Sequence, residues 1–95
     1  MAAYIVADIE VTDPEEYQRY ARQTPGTLEP YGGKFIVRGG QPEALEGDWQ
    51  PKRIVIIEFP NIEQLKAWYN SPAYSAIMGM RHNSANSNIL IVQGV

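Results

Sequence analysis

The sequence predicts an α+β protein in which four strands form one antiparallel sheet and the helices lie on one face of it. Three observations support this fold. The segment 54–57 reads Ile-Val-Ile-Ile, a β-branched run that is typical of a strand buried on both faces. The segment 3–11 alternates so that one of its faces is entirely apolar, as in a second strand. A helical pattern follows each of these strands, and the full order is β-α-β-β-α-β.

Length and composition restrict the possibilities further. With 95 residues the chain has the size of one domain, 1–95, which can bury roughly 65% of its unfolded surface. The absence of cysteine excludes disulfides, thiolate nucleophiles and Cys-based metal sites. The net charge is −3 and the basic residues are scattered, so we expect no nucleic-acid partner. No stretch resembles a signal peptide or a membrane span, and we expect a cytoplasmic protein without a membrane partner.

The first helix is predicted to begin at Pro14. Asp13 is a favourable N-cap, proline suits the first helical position, and Glu16 lies three residues beyond the cap, as in a capping box. Pro25-Gly26 lies within the helical pattern, and we expect a kink there or two helices in sequence, because proline lacks an N–H and crowds the preceding turn. Gly32-Gly33 is predicted to end the segment.

The second and third strands are predicted over 34–38 and 53–59, joined by a long loop, and to run antiparallel. Three cross-strand pairs follow from the simplest register: Arg38 with Ile54, Ile36 with Ile56, and Lys34 with Glu58. The last is an opposite-charge pair that favours this alignment.

The rest of the chain predicts two helices and a strand. Asn61 caps the first helix, and Ser71 caps a short second one that begins at Pro72. The polar segment 82–88 is predicted to be a loop, and 89–93 the last strand. The complete order is that of a ferredoxin-like fold, with both helical regions on one face of the sheet.

The other face of the sheet is then uncovered and apolar at its centre, and such a patch is normally covered by a partner. We therefore predict a homodimer with the two sheets face to face. Trp49, in the long loop, is expected to pack onto its own subunit or across the dimer, or else to anchor a lid. The predicted interface residues are Tyr4, Val6, Ile36, Ile54, Ile56 and Trp49, with Arg38 on the same face.

Several linked motifs closely resemble one known family. In chain order they are AYIVADIEVTDPEEY, YGGKFIVRGG, LEGDW and RIVIIEFPNIEQLKAWYNSPAY. The family is domain-of-unknown-function family 1330, within the dimeric α/β-barrel superfamily. The resemblance implies a ferredoxin-like fold and a dimeric α/β barrel, but no established reaction. Superfamily relatives include cofactor-independent monooxygenases, muconolactone isomerase, and haem-binding chlorite dismutases and peroxidases, a range that argues against transferring any one function.

Aromatic and basic residues are the candidates for a site. Tyrosine and tryptophan side chains converge on the helical side of the sheet, where they form either core or a pocket for a flat organic molecule. Arg38 and Arg81 either clamp an anionic ligand group or serve structural roles, Arg38 in an ion pair and Arg81 at a helix C-terminus. His82 is either an exposed histidine or an acid, base or haem ligand. The predicted ligand-binding residues are Arg38, Trp68, Tyr69, Tyr74, Arg81 and His82.

Three functions are compatible with these residues. The first is binding of a small organic metabolite between the sheet and the helices. The second is a cofactor-independent enzyme, similar to a monooxygenase or isomerase, acting on a small aromatic or carboxylate substrate. The third is haem binding through His82, which the absence of a Soret band after addition of haem would eliminate. The sequence identifies no catalytic residue, and it predicts no metal and no bound cofactor because a lone histidine has no clustered ligands.

Overall fold

The computed structural model describes all residues, Met1–Val95, and confirms the ferredoxin-like fold. The strands are β1 (Ala3–Val11), β2 (Lys34–Gly40), β3 (Ile54–Phe59) and β4 (Ala85–Gln93). The helices are α1 (Pro14–Leu28), α2 (Ile62–Tyr69) and α3 (Pro72–Ser84), with a 3₁₀ turn at Glu29–Tyr31. The strands form one antiparallel sheet in the order β2-β3-β1-β4. No helix combines the length and the apolarity needed to cross a membrane.

The helices begin where their capping residues predict. The side chain of Asp13 accepts a hydrogen bond from the Glu16 N–H at 3.3 Å, and Asn61 and Ser71 cap α2 and α3 in the same way. Of the two alternatives predicted at Pro25-Gly26, two separate helices are excluded, because α1 continues through Pro25 as far as Leu28. The predicted end of the last helix is wrong. Helix α3 extends to Ser84, so His82 is helical and β4 begins at once, four residues before the predicted strand.

The register of β2 against β3 is correct at one end and wrong at the other. Lys34 lies opposite Glu58, and their side chains form an ion pair at 3.2 Å. The ladder is then irregular between Phe35 and Val37, so that Val37, not Ile36, lies opposite Ile56. Arg38 consequently lies opposite Val55 and not opposite Ile54. An extra residue in one strand moves every later side chain to the other face of the sheet. Arg38 therefore lies on the helical side, away from the predicted dimer face.

The hydrophobic core lies between the sheet and the three helices. Alternate residues of β1 and β3 face it, and the small side chains of Ala3 and Ala7 leave room for the large aromatic groups of the helices. The Phe59 and Trp68 rings meet with their centroids 5.5 Å apart. The buried apolar residues of the helices are Tyr17, Tyr20, Leu28, Leu65, Trp68, Tyr74 and Ile77.

The opposite face of the sheet is apolar at its centre and is covered by no helix of the same chain. Tyr4, Val6, Ile54 and Ile56 lie on it and are partly exposed, in agreement with their predicted position. Strand β4 extends this surface, because Leu90 and Val92 lie opposite Val6 and Tyr4 and are 55% and 47% exposed. We call these six residues the open face; Ile36, 49% exposed, lies at the irregular part of neighbouring β2.

The long loop is attached to the sheet through Asp8. The indole N–H of Trp49 donates to one carboxylate oxygen of Asp8, and the backbone N–H of Lys52 donates to the other, both at 2.9 Å. These hydrogen bonds favour the charged form of Asp8 and so lower its pKa, and the one from Trp49 has the largest effect. Trp49 is still 62% exposed, so a large part of its ring is free to contact a partner.

Replacing Gly33 is predicted to destabilise the protein. A methyl group there would lie 2.7 Å from the Phe59 ring and 2.8 Å from a methyl carbon of Leu28, and both side chains are fully buried. We expect Gly33→Ala to lower the free energy of unfolding by about 1–3 kcal/mol. Gly40→Ala is the control, because a methyl group at Gly40 meets nothing within 4 Å. Urea denaturation of both variants at one protein concentration checks this, and equal losses would contradict it.

Candidate functional site

A cavity lies between the helical side of the sheet and the helices. The volume open to the centres of water molecules is about 40 Å³. A space of this size holds roughly three waters. Of its 16 lining residues, 12 are hydrophobic, so a ligand there would be held mainly by apolar and aromatic surface. The aromatic lining residues are Tyr17, Tyr20, Phe35, Trp68 and Tyr69, and the charged ones are Arg38, Arg53 and Arg81.

A chain of hydrogen bonds connects two buried tyrosines to Arg81. The hydroxyl groups of Tyr20 and Tyr74 are 2.7 Å apart, and Nε of Arg81 donates to the Tyr74 oxygen at 3.2 Å. Burial, and then the adjacent Tyr74, raise the pKa of Tyr20 far above its usual range. Burial by itself lowers the pKa of Arg81, but the tyrosine hydroxyl groups around it outweigh this effect and raise it. At neutral pH the site therefore presents a protonated Tyr20 phenol and a charged guanidinium.

Arg38 reaches the cavity from β2 and is held by the first helix. Its Nη2 donates to the carbonyl oxygen of Ala21 at 2.7 Å, and its guanidinium carbon lies 4.3 Å from the centre of the Phe35 ring. The Ala21 carbonyl is available because its usual helical donor would be the N–H of residue 25, which is proline. Pro25 therefore leaves an acceptor for Arg38 within α1. No carboxylate lies within 4 Å of Arg38, in contrast to the structural role considered for it.

Arg53 is a lining residue that the sequence reasoning missed. It immediately precedes β3, and its guanidinium carbon lies 5.7 Å from the centre of the Tyr17 ring. The guanidinium packs directly against Gly39, whose φ is 72°, and a methyl group at Gly39 would overlap it. The signal was present in the alternation of the strand, because a residue two positions before the helix-facing Val55 is expected to share its face.

The remaining predicted residues lie at different depths. Trp68 lines the cavity, and its indole N–H donates to Thr27 Oγ1 at 3.0 Å. Tyr69 also lines the cavity and is 37% exposed, whereas Tyr74 lies behind the lining and contacts it through Tyr20 and Arg81. His82 is exposed and lies outside the cavity, so the structure does not bring it together with the other predicted ligand-binding residues.

His82 borders a second, wider depression beside the cavity. Its volume is about 520 Å³, measured in the same way, and its lining is mostly polar. Tyr69, Arg81 and Ile89 line both spaces, which makes this depression the entrance to the cavity. No group of three or more His, Cys, Asp or Glu side chains is arranged to hold a metal ion.

The fold and the aromatic cavity define a small ferredoxin-like α+β protein with an internal site. The chain belongs to the family described as Domain of unknown function (DUF1330), whose profile matches residues 2–95. No curated protein matches the sequence.

Solved structures of similar fold have low sequence identity to this chain. A protein of unknown function from Rhodopseudomonas palustris is 18% identical, with a TM-score of 0.80 over 99% of this chain and 82% of that one. SnoaB, a cofactor-independent oxygenase from Streptomyces nogalater, is 12% identical, with a TM-score of 0.69 over 99% and 93%. A dimeric ferredoxin-like protein of unknown function from Jannaschia sp. is 12% identical, with a TM-score of 0.67 over 99% and 100%. At these identities the likeness shows a shared fold.

Removing the Tyr74 hydroxyl is predicted to cost stability although the ring is kept. In Tyr74→Phe, the Tyr20 hydroxyl and Nε of Arg81 both lose their partner in a buried site. We expect a loss of about 1–3 kcal/mol in the free energy of unfolding. Tyr31→Phe is the matched control, because the Tyr31 hydroxyl makes no hydrogen bond within the protein, and we expect little change. Chemical denaturation checks this, and a neutral Tyr74→Phe would show that the hydrogen-bond chain contributes nothing.

Proposed function

We propose that the protein binds a small organic molecule in the cavity between the sheet and the helices. The observation that carries this proposal is the composition of the lining, in which a few polar groups converge on an otherwise apolar and aromatic space. A core without a ligand would be filled by apolar side chains, whereas the buried Arg81 brings charge to this one and the exposed Arg38 also lines the cavity. Flat molecules are favoured, because the rings of Tyr17, Trp68 and Tyr69 offer surfaces for stacking.

Cofactor-independent catalysis in the same cavity is the second candidate. The charged Arg81 beside the Tyr74 hydroxyl is a group that stabilises negative charge as it develops on a substrate oxygen. SnoaB, the cofactor-independent oxygenase of similar fold, gives a precedent. The raised pKa of Tyr20 prevents that phenol from serving as a base at neutral pH, and His82 lies outside the cavity. The residues therefore support binding more directly than they support turnover.

We also propose that the protein functions as a homodimer joined through the open face. Apolar side chains on β1, β3 and β4 form one continuous uncovered surface there. The similar structure from Jannaschia sp., a dimeric ferredoxin-like protein, supports this assembly. The cavity and the open face lie on opposite sides of the sheet. Packing two sheets together through the open face would therefore not block the cavity.

Filling the cavity is predicted to weaken ligand binding without unfolding the protein. Small organic molecules that raise the melting temperature are first identified in a thermal-shift screen. In Ala21→Leu the larger side chain occupies cavity space, and we expect affinity for these molecules to fall at least about tenfold. Ala76→Leu, at an exposed position of another helix, is the control and should bind normally.

Mass spectrometry of the recovered molecule separates the two candidates, since an unchanged molecule indicates binding and a product indicates turnover. Equal affinity of the Ala21→Leu variant and its control for every identified molecule would contradict the proposed site.

A charge on the open face is predicted to separate the dimer. In Ile56→Lys an ammonium group replaces an apolar side chain that lies opposite Val6 and Val37 at the centre of the sheet. We expect light scattering at micromolar concentration to give a dimer for the wild type and a monomer for this variant. Leu45→Lys, at a loop residue that is 94% exposed, should remain a dimer. A wild type that is monomeric under these conditions would refute the assembly.

A further inference from the structure

We infer that the ligand is a small organic carboxylate whose charged end is held by the guanidinium groups of Arg38, Arg53 and Arg81. This inference rests on the proposed function and specifies the chemical class of its ligand. The three arginines come from β2, from the residue before β3 and from α3, so three separate parts of the fold bring positive charge to one cavity. No aspartate or glutamate is among the lining residues.

None of the three guanidinium groups has a carboxylate partner in the protein. The ion pairs of the structure are Arg19 with Glu15 and Lys34 with Glu58, all outside the cavity. The arginines of the cavity are held by neutral groups instead. Arg38 bonds a backbone carbonyl and Arg81 bonds a phenol, while the guanidinium carbon of Arg53 faces the Tyr17 ring. Their positions are therefore set while their charge remains available to a ligand.

Two of these arginines have hydrogen-bonding capacity that the protein leaves unused. Arg81 is only 5% exposed, and within the protein only its Nε makes a hydrogen bond; Arg53 is partly buried. Nε of Arg53 is fully buried and also lacks a partner. Buried charges and donors are normally paired, because an unpaired one loses its hydration without compensation. An anion in the cavity would supply the missing acceptors for both residues.

The geometry favours a carboxylate over a phosphate. Guanidinium groups form two parallel hydrogen bonds with a planar carboxylate. The cavity of about 40 Å³ has room for the carboxylate group alone, and the body attached to it would extend into the wider depression, which shares Tyr69 and Arg81 with the cavity. Phosphate sites commonly add backbone N–H groups from the start of a helix. The one lining residue close to a helix start is Tyr17, and its backbone N–H already donates to the carbonyl oxygen of Asp13, so no free helix N–H group faces this cavity. The aromatic lining adds stacking surface for a flat apolar body attached to the carboxylate.

The test compares probes that differ in charge but hardly in shape. Benzoate, its neutral analogue benzamide and inorganic phosphate are titrated into the full chain by isothermal calorimetry. We expect benzoate to bind at least about tenfold more tightly than benzamide or phosphate, because only benzoate combines a planar anion with an aromatic body. Added salt should weaken benzoate binding.

Two pairs of variants locate the charge. Arg53→Met should weaken benzoate binding at least about tenfold, whereas Arg22→Met, on the exposed side of α1, should not change it. Gly39→Ala keeps every charge but displaces the Arg53 guanidinium, and should weaken benzoate binding as well. Gly47→Ala is its control, because Gly47 also has a positive φ but no neighbour within 4 Å of an added methyl group. Melting temperatures of all four variants show whether each is folded.

The outcomes separate this inference from the proposed function. Equal binding of benzoate and benzamide, or unchanged benzoate binding in folded Arg53→Met, would overturn the carboxylate assignment and leave small-molecule binding intact. Tighter binding of phosphate than of benzoate would overturn it too. If benzoate does not bind but neutral molecules from the screen do, only the carboxylate inference fails. If neither benzoate nor any molecule of the screen binds, both fail.

Discussion

The sheet is apolar on both faces, and the helices of one chain cover only one of them. This imbalance governs the rest of the structure. The covered face carries the core and the cavity, while the open face presents the branched side chains of β1, β3 and β4. Keeping an apolar surface of this kind in water costs free energy, and a partner that covers it removes this cost. The proposed assembly and the proposed ligand binding therefore use opposite sides of the same four strands, and neither would obstruct the other.

Positive charge on the covered side is maintained by backbone geometry more than by opposite charges. Pro25 leaves the Ala21 carbonyl without a helical donor, and Arg38 takes that place. The Arg53 guanidinium packs against the backbone of Gly39, and the Cβ of any other residue at position 39 would overlap it. In both cases a residue that usually interrupts regular structure positions an arginine. Carboxylate partners would also have held these arginines, but they would have neutralised the charge of the cavity. Neutral hydrogen-bonding or packing partners hold the arginines and leave that charge available.

The buried phenols give the site its chemical character. Phenylalanine would fill the same volume without requiring hydrogen bonds, whereas Tyr20 and Tyr74 satisfy one another and also orient Arg81. A raised pKa keeps Tyr20 protonated, so this phenol acts as a hydrogen-bonding group and not as a base. This arrangement would hold the proposed anion in one orientation. For proton transfer it lacks an internal base, because the single histidine of the chain lies at the entrance side.

The sequence by itself determined the strands, the three capped helix starts, the ion pair of Lys34 with Glu58 and the division of the sheet into a covered and an open face. These features depend on side-chain periodicity and on capping within a few residues, which are local properties. Only the tertiary structure decided that Arg38 lies on the helical side, that Arg53 joins it, and that α1 continues through Pro25. Each of these depends on a contact between distant parts of the chain. A bulge in β2 changes which face a side chain occupies, and a freed carbonyl is stabilised only when an arginine from another element reaches it.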